Sequence, residues 1–295
     1  MIKTINFTTS EDDTLRFDSP DDLRNYYQSF GCDGLELMNL GTDQHHIIEN
    51  DMVIGVHLNC PSDWMQMDPD VLYEHYRKEL DYAQSLNARY VVFHVTQVSL
   101  IESMTYRLEH TSMEVIDAVL PLINRLLDNQ AYSFYFLMEN LWWPGLDFLS
   151  TDTTQHLLEG VHYSKKGFMF DTGHFMSTNR SLRTIEDAVF YLKTMLQEHK
   201  KWIPYIYGIH LSQSLSGEYL EQYFKNPPAL SDDSDTRFCQ MFEHIFKIDQ
   251  HKPFCSPKLP ELIAMINPEY VTYEFITENR AQHEEYMKKA IASFS

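Results

Sequence analysis

Short runs of apolar residues alternate along this chain with longer stretches in which apolar positions recur every three or four residues. The short runs are Ile2 to Phe7, Gly34 to Leu37, Val53 to Leu58, Tyr90 to His94, Ser133 to Glu139, Gly167 to Asp171, Tyr205 to His210 and Val271 to Glu274. Segments such as YVVF and FYFLM are continuously apolar, which suits strands buried on both faces, as in a parallel sheet under helices. Between them the spacing predicts helices over Pro69 to Leu86, Met113 to Leu127, Leu182 to His199, Leu259 to Met265 and Arg280 to Ser293. Another helix starts behind Ser19, where a capping hydroxyl precedes Pro20 and the acids Asp21 and Asp22. Strand–helix alternation of this length predicts an α/β fold, a single (β/α)8 TIM barrel over residues 1–295.

One connection breaks the rhythm. Residues 212–247 carry Ser214, Ser216, Gly217, the pair Pro227 and Pro228, and an acidic patch at Asp232, Asp233 and Asp235. They read as a surface insertion between the seventh strand and the D-x-H pair Asp249 and His251, with a helix near Phe238 to Phe246. A loop of that length is commonly functional, and a lid over the pocket is the expectation.

Composition narrows the function classes. The net charge is −20, from 43 acidic and 23 basic side chains. Such a field repels phosphate backbones and anionic lipid, and the basic residues are scattered singles and pairs such as Lys165 with Lys166. Duplex DNA is therefore disfavoured as a partner, and a small molecule favoured. No apolar stretch approaches the roughly 20 residues of a membrane span, and the first ten residues lack a signal core. Cys32, Cys60, Cys239 and Cys255 are not spaced as a metal knuckle or redox pair and read as free thiols in a cytoplasmic protein.

The chemistry sits at the strand ends, because barrel active sites lie at the C-terminal face. Strands three to eight end at His57, His94, Glu139, Asp171, His210 and Glu274, and His174, Asp249 and His251 lie close behind strand ends or between strands seven and eight. A lone histidine at a strand end is usually a hydrogen-bonded core residue. A carboxylate directly behind YFLM, GFMF or VTY is harder to explain, since burying it is costly without a partner or a cation. Imidazole with carboxylate and no thiolate suits zinc first, with Mn, Fe, Co or Mg as alternatives. Trp142 and Trp143 could wall the pocket, Asn140 could orient Glu139 or meet substrate, and Arg180 could clamp a phosphate.

FDTGH, MENL, GIHLS, the D-x-H-x-P around Asp249 and His251, and Glu274 together resemble the xylose-isomerase-like barrel superfamily, and the fuller set resembles its endonuclease IV branch. That resemblance implies up to three metal ions: one on His57, His94 and Glu139, one on Glu139, Asp171, His210 and Glu274, and one on His174, Asp249 and His251. It also implies a metal-dependent phosphoester hydrolase. The sugar isomerase and epimerase branch implies a single divalent ion on Glu139, Asp171, His210 and Glu274, with Glu139 and Glu274 as the acid/base pair and a sugar or sugar phosphate as substrate. A non-catalytic metal-binding barrel is the third reading. The stretch between His210 and Asp249 is longer than the endonuclease pattern expects, which leaves the D-x-H pair least secure.

Overall fold

The computed structural model describes residues 1–41 and 46–294. Eight parallel strands close into a barrel in sequence order: β1 (Ile2–Thr8), β2 (Gly34–Met38), β3 (Val53–His57), β4 (Tyr90–His94), β5 (Tyr135–Glu139), β6 (Lys166–Asp171), β7 (Ile206–Leu211) and β8 (Tyr270–Tyr273). The seam is parallel pairing of Ile2 through Ile5 with Tyr270 through Tyr273. β4 keeps the predicted bounds and the other strands shift by one or two residues. β8 stops at Tyr273, so Glu274 stands one residue past the ladder.

The helices are α1 (Glu11–Thr14), α2 (Pro20–Ser29), α3 (Pro69–Ser85), α4 (Leu100–Thr105), α5 (Ser112–Leu127), α6 (Thr151–Gly160), α7 (Thr172–Ser177), α8 (Ile185–Glu198), α9 (Gly217–Lys225), α10 (Ser234–Ile248), α11 (Leu259–Ile266) and α12 (Arg280–Phe294). Local chemistry fixes several starts. Ser19 Oγ accepts from the Asp22 amide ahead of α2, and Asp68 accepts from Asp70 and Val71 ahead of α3. Ser99 with Glu102, and Thr111 with Glu114, form reciprocal capping boxes at α4 and α5. Each satisfies amides that the helix itself leaves unpaired. Among the described residues no helix is long and apolar enough to cross a membrane.

Side chains alternate across a strand, and here the alternation separates two cores. Ile5, Leu35, Val56, Val91, Phe93, Phe136, Met138, Phe168, Phe170, Ile209 and Val271 face the surrounding helices. Ile54, Tyr90, Val92, Leu137, Met169 and Tyr270 fill the barrel interior. Gly55 makes room for the interior Tyr90, whose ring would lie 2.2 Å from a Cβ at that position. The interior residues Val92, Leu137 and Met169 stand two positions before the strand ends, so the same period places His94, Glu139 and Asp171 inward at the top of β4, β5 and β6.

The 212–247 segment is not an extended loop. It holds α9 and α10, which pack on α4 through Met104, Tyr223 and Met241. The sequence picks out α10 by Phe238, Phe242 and Phe246, yet these three rings are exposed, and Met241, His244 and Ile248 make the packed face.

Candidate metal centre

Nine buried or half-buried side chains converge where the sequence expects them. The potential ligand atoms form groups whose members lie within 4.8 Å of one another: His57, His94 and Glu139; Glu139, Asp171, His210 and Glu274; and His174, Asp249 and His251. A fourth grouping joins His57, His210 and Glu274. Register explains the first contacts, since His94 pairs with Glu139 across β4 and β5, and Asp171 with His210 across β6 and β7.

Glu139 is the hub. Its Oε2 lies 3.1 Å from Nε2 of both His57 and His94, and its Oε1 lies 2.9 Å from His210 Nδ1. Burial pushes its carboxyl up, but His210, His94 and His174 outweigh this and hold it well below the usual range. Asp171 goes the other way: burial, with Glu274, Glu139 and Asp249 nearby, raises its carboxyl well above the usual range despite His174. Carboxylates crowded this way out of water call for positive charge between them.

The far nitrogen of four histidines is tied down. His57 Nδ1 faces the Leu58 carbonyl at 3.1 Å, His174 Nδ1 the Asn140 carbonyl at 2.9 Å, and His251 Nδ1 the Glu274 carbonyl at 3.3 Å. Donation to those carbonyls leaves Nε2 of each as the lone-pair side, aimed at the cluster. His210 is reversed: its Nε2 lies 2.9 Å from Glu36, so Nδ1 faces inward. Fixing the outer nitrogen in this way sets tautomer and ring orientation in metal sites.

Three buried atoms in the cluster lack a partner in hydrogen-bonding geometry: His94 Nε2, Asp171 Oδ2 and Glu274 Oε2. Asp171 spends its other oxygen capping α7, where Oδ1 accepts from the His174 amide. An orphaned lone pair costs free energy in an apolar interior unless something binds it. Three on one pocket, in an imidazole–carboxylate set without thiolate, fit one or more divalent cations of the zinc type.

The D-x-H arm reaches the cluster because α10 ends at it. Asp249 follows α10, and Ser214 Oγ donates to Asp249 Oδ1 at 3.1 Å while accepting from the Gln250 amide. Gln213 and Lys252 pair as an antiparallel bridge. Asp249 Oδ2 then stands 2.6 Å from His251 Nε2 and 3.0 Å from His174 Nε2. His251 adopts φ 43°, a strained left-handed backbone of the kind functional sites tolerate.

The expected substrate-binding residues divide. Trp142 lies against the His174 ring at 5.3 Å between centroids, on the rim of the cluster. Trp143 is buried and packs on Tyr106. Arg180 is exposed above the Tyr106 ring. The Asn140 carboxamide donates to the Asp171 carbonyl and accepts from the Asp171 amide, a clasp between the ends of β5 and β6. The sequence reading missed Glu36. This carboxylate inside the barrel accepts from Tyr90 and Thr272 hydroxyls as well as facing His210. The signal was there in the residues: an acid within the apolar strand GLELM is as costly to bury as one behind YFLM.

The sequence matches the xylose isomerase-like TIM barrel family over residues 4–291. No curated protein matches by sequence alone. Among solved structures, the chain resembles a D-tagatose 3-epimerase-like protein at 12% identity, covering 100% of this chain and 98% of that one with a TM-score of 0.54. It resembles the IOLI protein with a bound zinc atom at 13% identity, covering 100% and 95% with a TM-score of 0.53. It also resembles a probable 3-DHS dehydratase, AsbF, from Bacillus anthracis, at 13% identity over 98% and 97% with a TM-score of 0.55. At such identities the likeness carries the fold alone. The family match spans nearly every strand and helix of the barrel, and the chain belongs to the xylose isomerase-like TIM barrels.

Proposed function

We propose that the protein is a metal-dependent phosphoester hydrolase of endonuclease IV type acting on a small or nucleotide-like substrate. The observation that carries this is that nine residues supply four ligand groups, three of them overlapping, enough donors for more than one ion, with Glu139 in two of the groups. When bound, divalent cations, zinc first, supply Lewis acidity toward a phosphoester and the water that attacks it. His57, His94 and Glu139 would hold one ion, Glu139, Asp171, His210 and Glu274 a second, and His174, Asp249 and His251 a third. The outer hydrogen bonds of the histidines fix ring orientation and the tautomer that would present the inner nitrogen to a cation. Trp142 walls the rim against water. The net charge of −20 turns the reading from duplex DNA to small substrates, and four free cysteines accord with a cytoplasmic setting.

Elemental mass spectrometry of the purified protein and of His251→Ala tests this. Close to three ions per chain, falling by one in the variant, with turnover of bis(4-nitrophenyl) phosphate, is the expected result.

A second reading rests on the group Glu139, Asp171, His210 and Glu274, which is complete without the other five residues. One ion there, with Glu139 and Glu274 passing a proton beside a sugar carbonyl, makes a sugar or sugar-phosphate isomerase or epimerase. Close to one ion per chain, unchanged in His251→Ala, with solvent deuterium entering a ketose, would select it.

A further inference from the structure

The ligand groups that contain Glu139 stand at strand ends or one residue past them, where the register of the barrel fixes them. The group of His174, Asp249 and His251 does not, and it shares no residue with the others. His174 belongs to α7, and Asp249 and His251 lie on the connection behind α10, outside every strand. Their placement depends on contacts between that connection and the segment behind β7. Gln213 and Lys252 exchange backbone hydrogen bonds of 2.7 and 3.2 Å. The Gln250 carboxamide donates to the Leu215 carbonyl at 3.3 Å. These bonds hold the chain, but none of them orients the Asp249 carboxylate.

Ser214 does orient it. Its buried Oγ accepts from the Gln250 amide at 2.9 Å and lies 3.1 Å from Asp249 Oδ1. With a lone pair taken by the amide, the hydroxyl proton is left for the carboxylate. Among the described residues the other side chains bonded to that carboxylate are His174 and His251, both at Oδ2, at 3.0 and 2.6 Å. The two oxygens thus have separate tasks: Oδ1 is tied to Ser214, and Oδ2 faces the imidazoles. Gly173 leaves room for this, since a Cβ there would stand 3.0 Å from Ser214 Oγ and 2.4 Å from Ser212 Oγ. Ser212 is the contrast: it is equally buried, two residues away, and its Oγ has no hydrogen-bond partner.

We propose that Ser214 is a positioning residue for the group of His174, Asp249 and His251. By holding Asp249 Oδ1 it keeps Oδ2 on the two imidazoles, and so sets how tightly this group takes up a divalent cation. A carboxylate without such a partner turns about its Cβ–Cγ bond and offers either oxygen, and an outer hydrogen bond removes that freedom. The inference deepens the hydrolase reading: it rests on that reading for the ion at this group, and not for the reaction.

Zinc is the probe, titrated into the full chain in competition with a chromogenic chelator and counted by elemental mass spectrometry, as a double-mutant cycle. The ion that His251→Ala removes is expected to bind about 10- to 100-fold more weakly in Ser214→Ala, with the remaining ions within about twofold of wild type. Added to His251→Ala, Ser214→Ala is expected to change nothing further. Ser212→Ala, which removes a buried hydroxyl that bonds nothing, is expected to titrate as wild type. Wild-type affinity in Ser214→Ala overturns the proposal, as does equal weakening of every ion, a further loss in the His251→Ala background, or a matching loss in Ser212→Ala. A wild type from which His251→Ala removes no ion overturns it together with the cation site itself. Turnover of bis(4-nitrophenyl) phosphate by the same samples reports separately on the reaction. Ser214-dependent zinc without turnover keeps the positioning role and loses the hydrolase reading, and turnover with Ser214-independent zinc does the reverse.

Discussion

Glu36 shows what a single residue contributes to geometry built by others. It faces His210 Nε2 and accepts two hydroxyl donors, so its charge is spread over three partners inside the barrel. Glu36→Gln keeps the shape but replaces an acceptor with a donor toward His210. Cation affinity is expected to fall roughly 10- to 100-fold, as for other outer partners of metal-binding histidines, read by competition with a chromogenic chelator. A second residue sets a pH dependence away from the centre. His283 is buried on α12, where Tyr26 Oη lies 2.7 Å from its Nδ1 and the rings of Tyr26 and Phe275 pack against it. Burial, with Arg16 adding, lowers it from 6.5 to about 4. The unfolded chain therefore takes up this proton first. The stabilisation is full above pH 6.5 and drains away as pH falls toward 4, by roughly 3 kcal/mol. Urea unfolding across that range is expected to show a shallower acid loss in His283→Gln. Glu139, Asp171 and Glu274 were legible because a carboxylate behind an apolar run has few structural excuses. Glu36 carries the same signal inside GLELM, but it stands mid-strand and not at the strand end where barrel chemistry is expected.

At the scale of elements, legibility followed capping and periodicity. α2 announces itself through Ser19, and α3 and α5 through their apolar faces. α6 begins with TDTT and buries chiefly Leu157 and Leu158, too few to mark a face. α9 starts at Gly217 with no side-chain cap. The loop after β5 depends on Gly145, at φ 135°, where a Cβ would sit 2.1 Å from the Val95 carbonyl oxygen. Gly145→Ala is expected to cost about 2 kcal/mol or more and to shift the Trp142 environment, visible together in a thermal melt followed by tryptophan fluorescence. α10 delivers Asp249 to the cluster, so excising residues 217–247 with a short Gly/Ser join is expected to remove one bound ion and spare the rest. Metal analysis of a variant that keeps its helical circular dichroism checks this.

The whole molecule was the most readable level. Eight apolar runs in alternation leave few topologies, and parallel strands under helices close most simply into a barrel. Its charge argues at the same level. With −20 on the chain, no retardation of a 20-base-pair duplex is expected at physiological salt. Removal of cations should also be felt globally, because ions that bind only the folded state stabilise it by mass action, about 2.7 kcal/mol at a hundredfold excess over Kd. A melting temperature that drops on chelation and returns with zinc would show it.

Glu139 offers one oxygen to His57 and His94 and the other to His210. A side chain shared this way couples neighbouring ligand groups energetically: occupying one fixes the carboxylate that the other needs. Loading then becomes cooperative, and by reciprocity so does release. A zinc isotherm is expected to be sigmoidal, and replacing Glu139 with Asp, which shortens the bridge by one carbon, should flatten it into independent steps.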